Sequence, residues 1–228
     1  MIRAGLALVL GVIASGAPAQ EPLRLYAAGS LRSAMTEIAK RFEAQEGVAV
    51  ATTFGPSGLL RVRIAKGEPA EVFASANMTH PQSLAKEGKA GTVRLFARNR
   101  LCALAAPGVA VSTDTLLARL LEPAVKVGTS TPKADPSGDY AFELFAKAEA
   151  VRPGAREKLE AKALKLTGGP DSPPPPKGRS QYGQIVAEGK ADIFLTYCTN
   201  ALQAKKEHPA QSIVQVPEAL AVGADYTA

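Results

Sequence analysis

Four times along this sequence a β-type run stops at small or hydroxyl-bearing residues and passes at once into a segment of helical periodicity. That alternation constrains the fold more than any other feature, because strand–helix units in series build mainly parallel sheets flanked by helices. Leu23 to Ala28 is the first run, halted by Gly29-Ser30; Leu31, Met35, Ile38 and Phe42 then recur at helical spacing until Gly47. Val48 to Phe54 is the second, followed by Gly55-Pro56-Ser57-Gly58 and a helix from Leu59 to about Lys66. Ala70 to Ser75 reads as a short buried strand, after which Asn77-Met78-Thr79-His80-Pro81 opens a helix with proline in its first turn. Leu101 to Ala106 and Val125 to Gly128 are strand-like, and Pro136-Ser137-Gly138-Asp139 precedes a helix bearing Tyr140, Phe142, Leu144 and Phe145. Pro173 to Pro176 enforce an extended loop, a helix around Tyr182, Ile185 and Val186 ends at Gly189, and Ile193 to Tyr197 is a further buried strand. The expected fold class is α/β.

The N-terminus addresses the compartment. Met1-Ile2-Arg3 carries positive charge, Ala4 to Ile13 is a short apolar run, and Ala17-Pro18-Ala19 fits a small-x-small cleavage site. Residues 1–19 therefore read as a signal peptide, too short in its apolar part for a membrane span of roughly 20 residues. The expected location is periplasmic. The formal net charge is +6, yet basic residues are scattered and aromatics are only 5%. Nucleic-acid binding, which calls for a basic stripe or stacking rings, is not indicated.

Three of the strand-to-helix turns, Gly29-Ser30, Gly55-Pro56-Ser57-Gly58 and Pro136-Ser137-Gly138, carry chemistry as well as geometry. A helix N-terminus presents unpaired N–H groups and about half a positive charge. A neighbouring hydroxyl adds a donor, and several such termini converging hold a small anion without a cationic side chain. Taken singly, each of these serines reads more readily as a plain helix N-cap; the pattern together with the leader shifts the balance toward an anion site.

The residues Leu25-Tyr26-Ala27-Ala28-Gly29-Ser30-Leu31, Phe54-Gly55-Pro56-Ser57-Gly58 and Pro69-Ala70-Glu71-Val72-Phe73-Ala74-Ser75-Ala76 resemble the opening motifs of periplasmic molybdate-binding proteins. Ala191-Asp192-Ile193-Phe194-Leu195-Thr196-Tyr197 resembles their late motif. The resemblance implies two α/β lobes joined by two crossover strands, with an oxyanion enclosed between them. It places lobe 1 at residues 20–99 plus 198–228 and lobe 2 at 100–197. It implies ligand contacts at Ser30, Ser57, Ser137, Arg179 and Tyr197, no direct metal-ion ligand, no cofactor and no catalysis. Its partners would be molybdate or a related oxyanion and an ABC permease of the inner membrane, and the protein would be a monomer.

Three positions depart from that pattern. Asn77 stands where relatives carry aspartate, and Asp139 puts an acid near the second lobe's anion loop. Arg179 stands where relatives offer a backbone N–H; it either faces the ligand or turns to solvent or to Asp139 or Asp171. Cys102 and Cys198 are the only cysteines, either a disulfide or two buried thiols. His80 beside Met78 lacks the ligand count of a soft-metal site. The Ser57 turn ends in Leu59 rather than the glycine of a nucleophile elbow, so a serine hydrolase is the weaker alternative, as are a sulfate or phosphate binder and a receptor's sensing lobe.

Overall fold

A computed structural model describes residues 20–176 and 178–228; the expected signal peptide, residues 1–19, lies outside the described residues. Strand β1 (Leu23–Ala28) leads through a 3-10 turn at Gly29–Leu31 into α1 (Arg32–Glu46), which Gly47 ends in the left-handed conformation. β2 (Val50–Gly55) passes into α2 (Ser57–Ala65), and β3 (Val72–Ala74) into α3 (Thr79–Lys86). These three strands form a parallel sheet in the order β2-β1-β3. Both faces of β1 are covered, as its unbroken apolar run requires. Leu25 and Ala27 pack with Ala74 on one side, while Tyr26 meets Leu60, Ile64 and Leu84 on the other.

β4 (Leu95–Ala105) is the long strand that joins the two halves. Residues Leu95 to Arg100 pair antiparallel with β9 (Gly223–Thr227), and Leu101 to Ala105 pair antiparallel with β7 (Ile193–Tyr197). β9 in turn meets the end of the first sheet, where Ser75 and Thr227 exchange backbone hydrogen bonds of 2.8 and 3.1 Å. Beyond α4 (Leu116–Leu121), the second half continues with β5 (Val127–Ser130), α5 (Pro136–Val151), α6 (Ala155–Lys162) and β6 (Leu164–Thr167). α7 (Gln181–Ala187), α8 (Cys198–Glu207) and β8 (Ser212–Gln215) complete it, giving the sheet order β6-β5-β7-β4-β8.

Alternation along β7 and β4 builds cores on both faces of this second sheet, as a period of two residues dictates. Ile193, Leu195 and Tyr197 join Leu101, Ala103, Leu144 and Phe145 on one face; Phe194 joins Leu104, Val186 and Ala201 on the other. Among the described residues no helix is long and apolar enough to cross a membrane.

Two expectations change. The return to the first sheet does not occur at residue 198: α8 follows directly on β7, β8 pairs with β4 in the second sheet, and only β9 returns. The expected strand at 101–106 begins six residues earlier, because one continuous strand serves both sheets. The chain thus crosses twice, within β4 and again between β8 and β9.

Candidate functional site

The two halves face each other across a cleft of about 940 Å³. Its walls include Ser30 and Ser57 from the first half and Asp135, Gly168, Tyr182 and Tyr197 from the second. The geometry follows from strand direction: in parallel sheets the loops at the carboxyl ends of strands, and the helix N-termini they feed, converge on one edge.

Neither early serine is a helix cap. The Ser30 hydroxyl lies 2.8 Å from the Tyr226 hydroxyl, and no side chain caps α1. Ser57 is the first residue of α2, and its buried Oγ accepts the Ala76 N–H at 3.1 Å. Both hydroxyls are thus held by tertiary partners, leaving the Ser57 proton free to be donated. Gly58 explains the glycine after Ser57. Its N–H donates to the Ala134 carbonyl at 2.9 Å, and a Cβ there would fall on the carbonyl oxygens of Lys133 and Ala134. The first half of the chain therefore meets the second, backbone against backbone, at the edge of the cleft.

Tyr197, at the end of β7, is 2% exposed and its hydroxyl has no hydrogen-bond partner, although it lines the cleft. Burial pushes its pKa well above the usual tyrosine value, so the phenol remains a donor. Its ring packs against Tyr226 at 5.7 Å and Tyr140 at 6.3 Å between centroids, and the Tyr140 hydroxyl donates to the Ala76 carbonyl at 3.4 Å. A continuous set of contacts thus runs from Ser30 through Tyr226, Tyr197 and Tyr140 to Ala76 and Ser57.

Ser137 and Arg179 are placed differently. Ser137 is fully buried with its Oγ unpartnered, and it does not line the cleft. Its N–H is taken at 3.0 Å by Oδ1 of Asp135, the true N-cap of α5. Asp135, not Ser137, is the side chain that loop brings to the cleft, and burial pushes its carboxyl up to about 6. Arg179 lines the mouth with a largely exposed side chain, its Nε 3.7 Å from Glu207 Oε2, so it turns neither to Asp139 nor to Asp171. The two oxygens of Glu207 also accept the Ser180 N–H, each at 2.9 Å. Asp139 folds back to accept the Lys133 N–H at 2.7 Å, and Asn77, bonded to His80 N, does not line the cleft.

Asp135, Asn99 and Tyr226 were missed by sequence reasoning. For Asp135 a signal existed, since aspartate before a proline at the first helical position is a favoured N-cap. Asn99 and Tyr226 lie 127 residues apart yet bond at 3.3 Å, and no local pattern announces that pairing. At the rim, Arg32 stacks over Phe54 at 4.7 Å and Lys206 stands exposed, with exposed Glu37 beside them, while the interior offers neutral donors and the acid Asp135. Cys102 and Cys198 form a disulfide between β4 and the start of α8. Among the described residues no group of three or more metal-ligating side chains occurs.

The sequence matches the family of bacterial extracellular solute-binding proteins over residues 23–228. It is 38% identical over 206 residues to an uncharacterised protein of Pasteurella multocida, covering 90% of this chain and 85% of that protein. It is 33% identical over 195 residues to the molybdate-binding protein ModA of Azotobacter vinelandii, covering 84% of this chain and 70% of the relative. Among solved structures, a periplasmic molybdate-binding protein of Azotobacter vinelandii superposes with a TM-score of 0.69 at 22% identity, covering 90% of this chain and 83% of that one.

Proposed function

Since this chain belongs to the bacterial extracellular solute-binding proteins, we propose that it captures molybdate, with tungstate as an alternative cargo, and delivers it to an ABC permease. The observation that carries this reading is the buried, unpartnered Tyr197 hydroxyl in the wall of a cleft shared with Ser30 and Ser57. Burying a hydroxyl without a partner costs about 1–3 kcal/mol, and an oxyanion oxygen removes that cost.

In this reading Ser30 and Ser57 donate from the first lobe and Tyr197 from the second, so the anion is bonded on both sides and closure becomes favourable only when it is present. The two crossings, within β4 and between β8 and β9, act as the hinge. The rim cations Arg32 and Lys206 draw the anion in, and neutral donors hold it after its water is lost. The protein acts in the periplasm as a monomer, led there by a signal peptide at residues 1–19. It binds rather than catalyses: the Ser57 hydroxyl is engaged with Ala76 N, and neither histidine lines the cleft to serve as its base.

Calorimetric titration with molybdate, tungstate, sulfate, phosphate and chromate tests the assignment. Molybdate and tungstate bind far more tightly than sulfate if it is right. Sulfate affinity equal to that of molybdate, or no heat with either, overturns it.

A further inference from the structure

Asp135 introduces into this cleft something an anion site has no evident use for. A fully deprotonated oxyanion carries only acceptors, and a carboxylate in the same wall repels it and offers it no donor. The residue is fixed there. Oδ1 takes the Ser137 N–H at 3.0 Å, and Oδ2 and Cβ stand 2.6 Å from where a side chain on Gly168 would begin, so only glycine leaves room for the carboxyl. Gly168 itself holds φ at +75°, which suits glycine on conformational grounds as well. Asp135 and Tyr197, whose hydroxyl is buried without a partner, line the same cleft.

Resting on the reading of the cleft as an oxyanion site, we propose that capture is coupled to a proton: Asp135 takes one from solvent as the anion seats, and the neutral carboxyl serves as a further donor. One proton enters with each anion and leaves with it, and no bond to the anion's central atom is made or broken.

The groups facing Asp135 do little to keep it ionised. Asp139 on its own helix raises it further, and that carboxylate is itself engaged with the Lys133 N–H. Lys133 lies nearer in charge terms to Asp139, whose carboxyl it lowers. From β7, α7 and β9 the facing groups are the phenols of Tyr197, Tyr182 and Tyr226, all neutral in the accessible range because burial raises each of them. Arg179 at the mouth is paired with Glu207. Loss of water around the carboxyl and the Asp139 charge therefore act in one direction, opposed by the Ser137 N–H and the Ser130 hydroxyl, and the net displacement is upward to about 6. An arriving dianion pushes it further the same way.

Titration of molybdate into the intact protein at micromolar concentration between pH 6 and 8.5, in two buffers of different ionisation enthalpy, reads the coupling. The dissociation constant rises by on the order of tenfold per pH unit above the carboxyl's titration, and about one proton is taken up per anion at the upper end. Asp135→Asn keeps a good N-cap and a donor while removing the charge. It binds with a pH-independent constant and no proton uptake, and at pH 8.5 at least tenfold more tightly than the unsubstituted protein. A residue that only caps α5 moves neither the proton count nor the pH slope. Tight binding by the unsubstituted protein with a flat pH profile and no proton uptake overturns the proposal alone. No heat with molybdate in either protein at any pH overturns the ligand assignment and the proposal with it.

Discussion

In the proposed site Ser57 performs two duties with one hydroxyl, and measuring stability and affinity on its replacement tells them apart. The oxygen accepts the buried Ala76 N–H, while the proton is free for the anion. Ser57→Ala orphans a buried N–H, costing about 1–3 kcal/mol of stability, and removes a charge-assisted donor worth about 1.5–3 kcal/mol of binding. Affinity for molybdate falls roughly 10- to 150-fold by calorimetry. A lowered melting temperature with unchanged affinity would reduce Ser57 to a purely structural residue. Arg179 gives the opposite expectation. Its guanidinium is held beside Glu207 and is largely exposed, so in the proposed site it acts on the anion only as screened charge. Arg179→Ala weakens binding less than threefold at low salt and not at all at high salt; a larger, salt-independent loss with altered preference among oxyanions would show that it swings in to coordinate.

At the scale of elements, the turn from β2 into α2 decides how closely the lobes approach. The loop before α5 turns through Lys133, whose φ of 68° is unusual for a residue with a side chain, and this aims the Ala134 carbonyl at Gly58 N–H. Gly58→Val puts carbon where those carbonyls sit, so the lobes are wedged apart. The expected result is a loss of affinity of tenfold or more, with a larger radius of gyration by small-angle X-ray scattering in the presence of molybdate; unchanged affinity and radius would mean that the contact is dispensable. The same turn shows what a sequence can and cannot reveal. β1, β2, β5 and the start of α5 were legible because strand-like runs stop at Gly, Pro or Ser, and β7 because Ile193 to Tyr197 is a mostly apolar run that follows the helix ending at Gly189. β8 and β9 carry little pattern: four and five residues, partly polar, paired with a strand more than 100 positions earlier. The first half of β4 was lost for the same reason, since Ala97 to Arg100 reads as polar loop until β9 lies beside it. Ile38 and Phe42, which the helical spacing of α1 marked as an inward face, are exposed instead, so periodicity found the helix but not its full orientation. Of the candidate site, Ser30, Ser57 and Tyr197 reach the cleft and Arg179 its mouth; at the α5 turn it is the cap, Asp135, that lines the cleft in place of Ser137.

For the whole molecule, the disulfide and the hinge are separate devices, and their separation can be measured. Cys102 lies just past the point where β4 leaves its pairing with β9, and Cys198 opens α8 directly after β7. Thr196, the residue across from Cys102 in the ladder, belongs to the same second sheet, so the bridge fastens that lobe to itself and spans neither crossing. It encloses a loop set by a sequence separation of 96 residues. By the chain-entropy argument a closure of that length contributes up to about 4–5 kcal/mol, all of it through the unfolded state. The double replacement Cys102→Ala/Cys198→Ala therefore lowers the denaturation midpoint strongly, with a further loss from the truncated, fully buried Cys102 side chain. In the proposed closure the hinge is β4 near Arg100 and residues 216–222, where the Leu101 N–H reaches the Val222 carbonyl at 3.4 Å. Neither β4 near Arg100 nor residues 216–222 carries a cysteine, so molybdate affinity of the variant, measured well below its melting temperature, stays within threefold of the unsubstituted protein. A greater loss in protein still folded by circular dichroism would mean that the bridge also sets the angle at which the lobes meet, because stiffness in the second sheet would then be transmitted along β4 to the cleft.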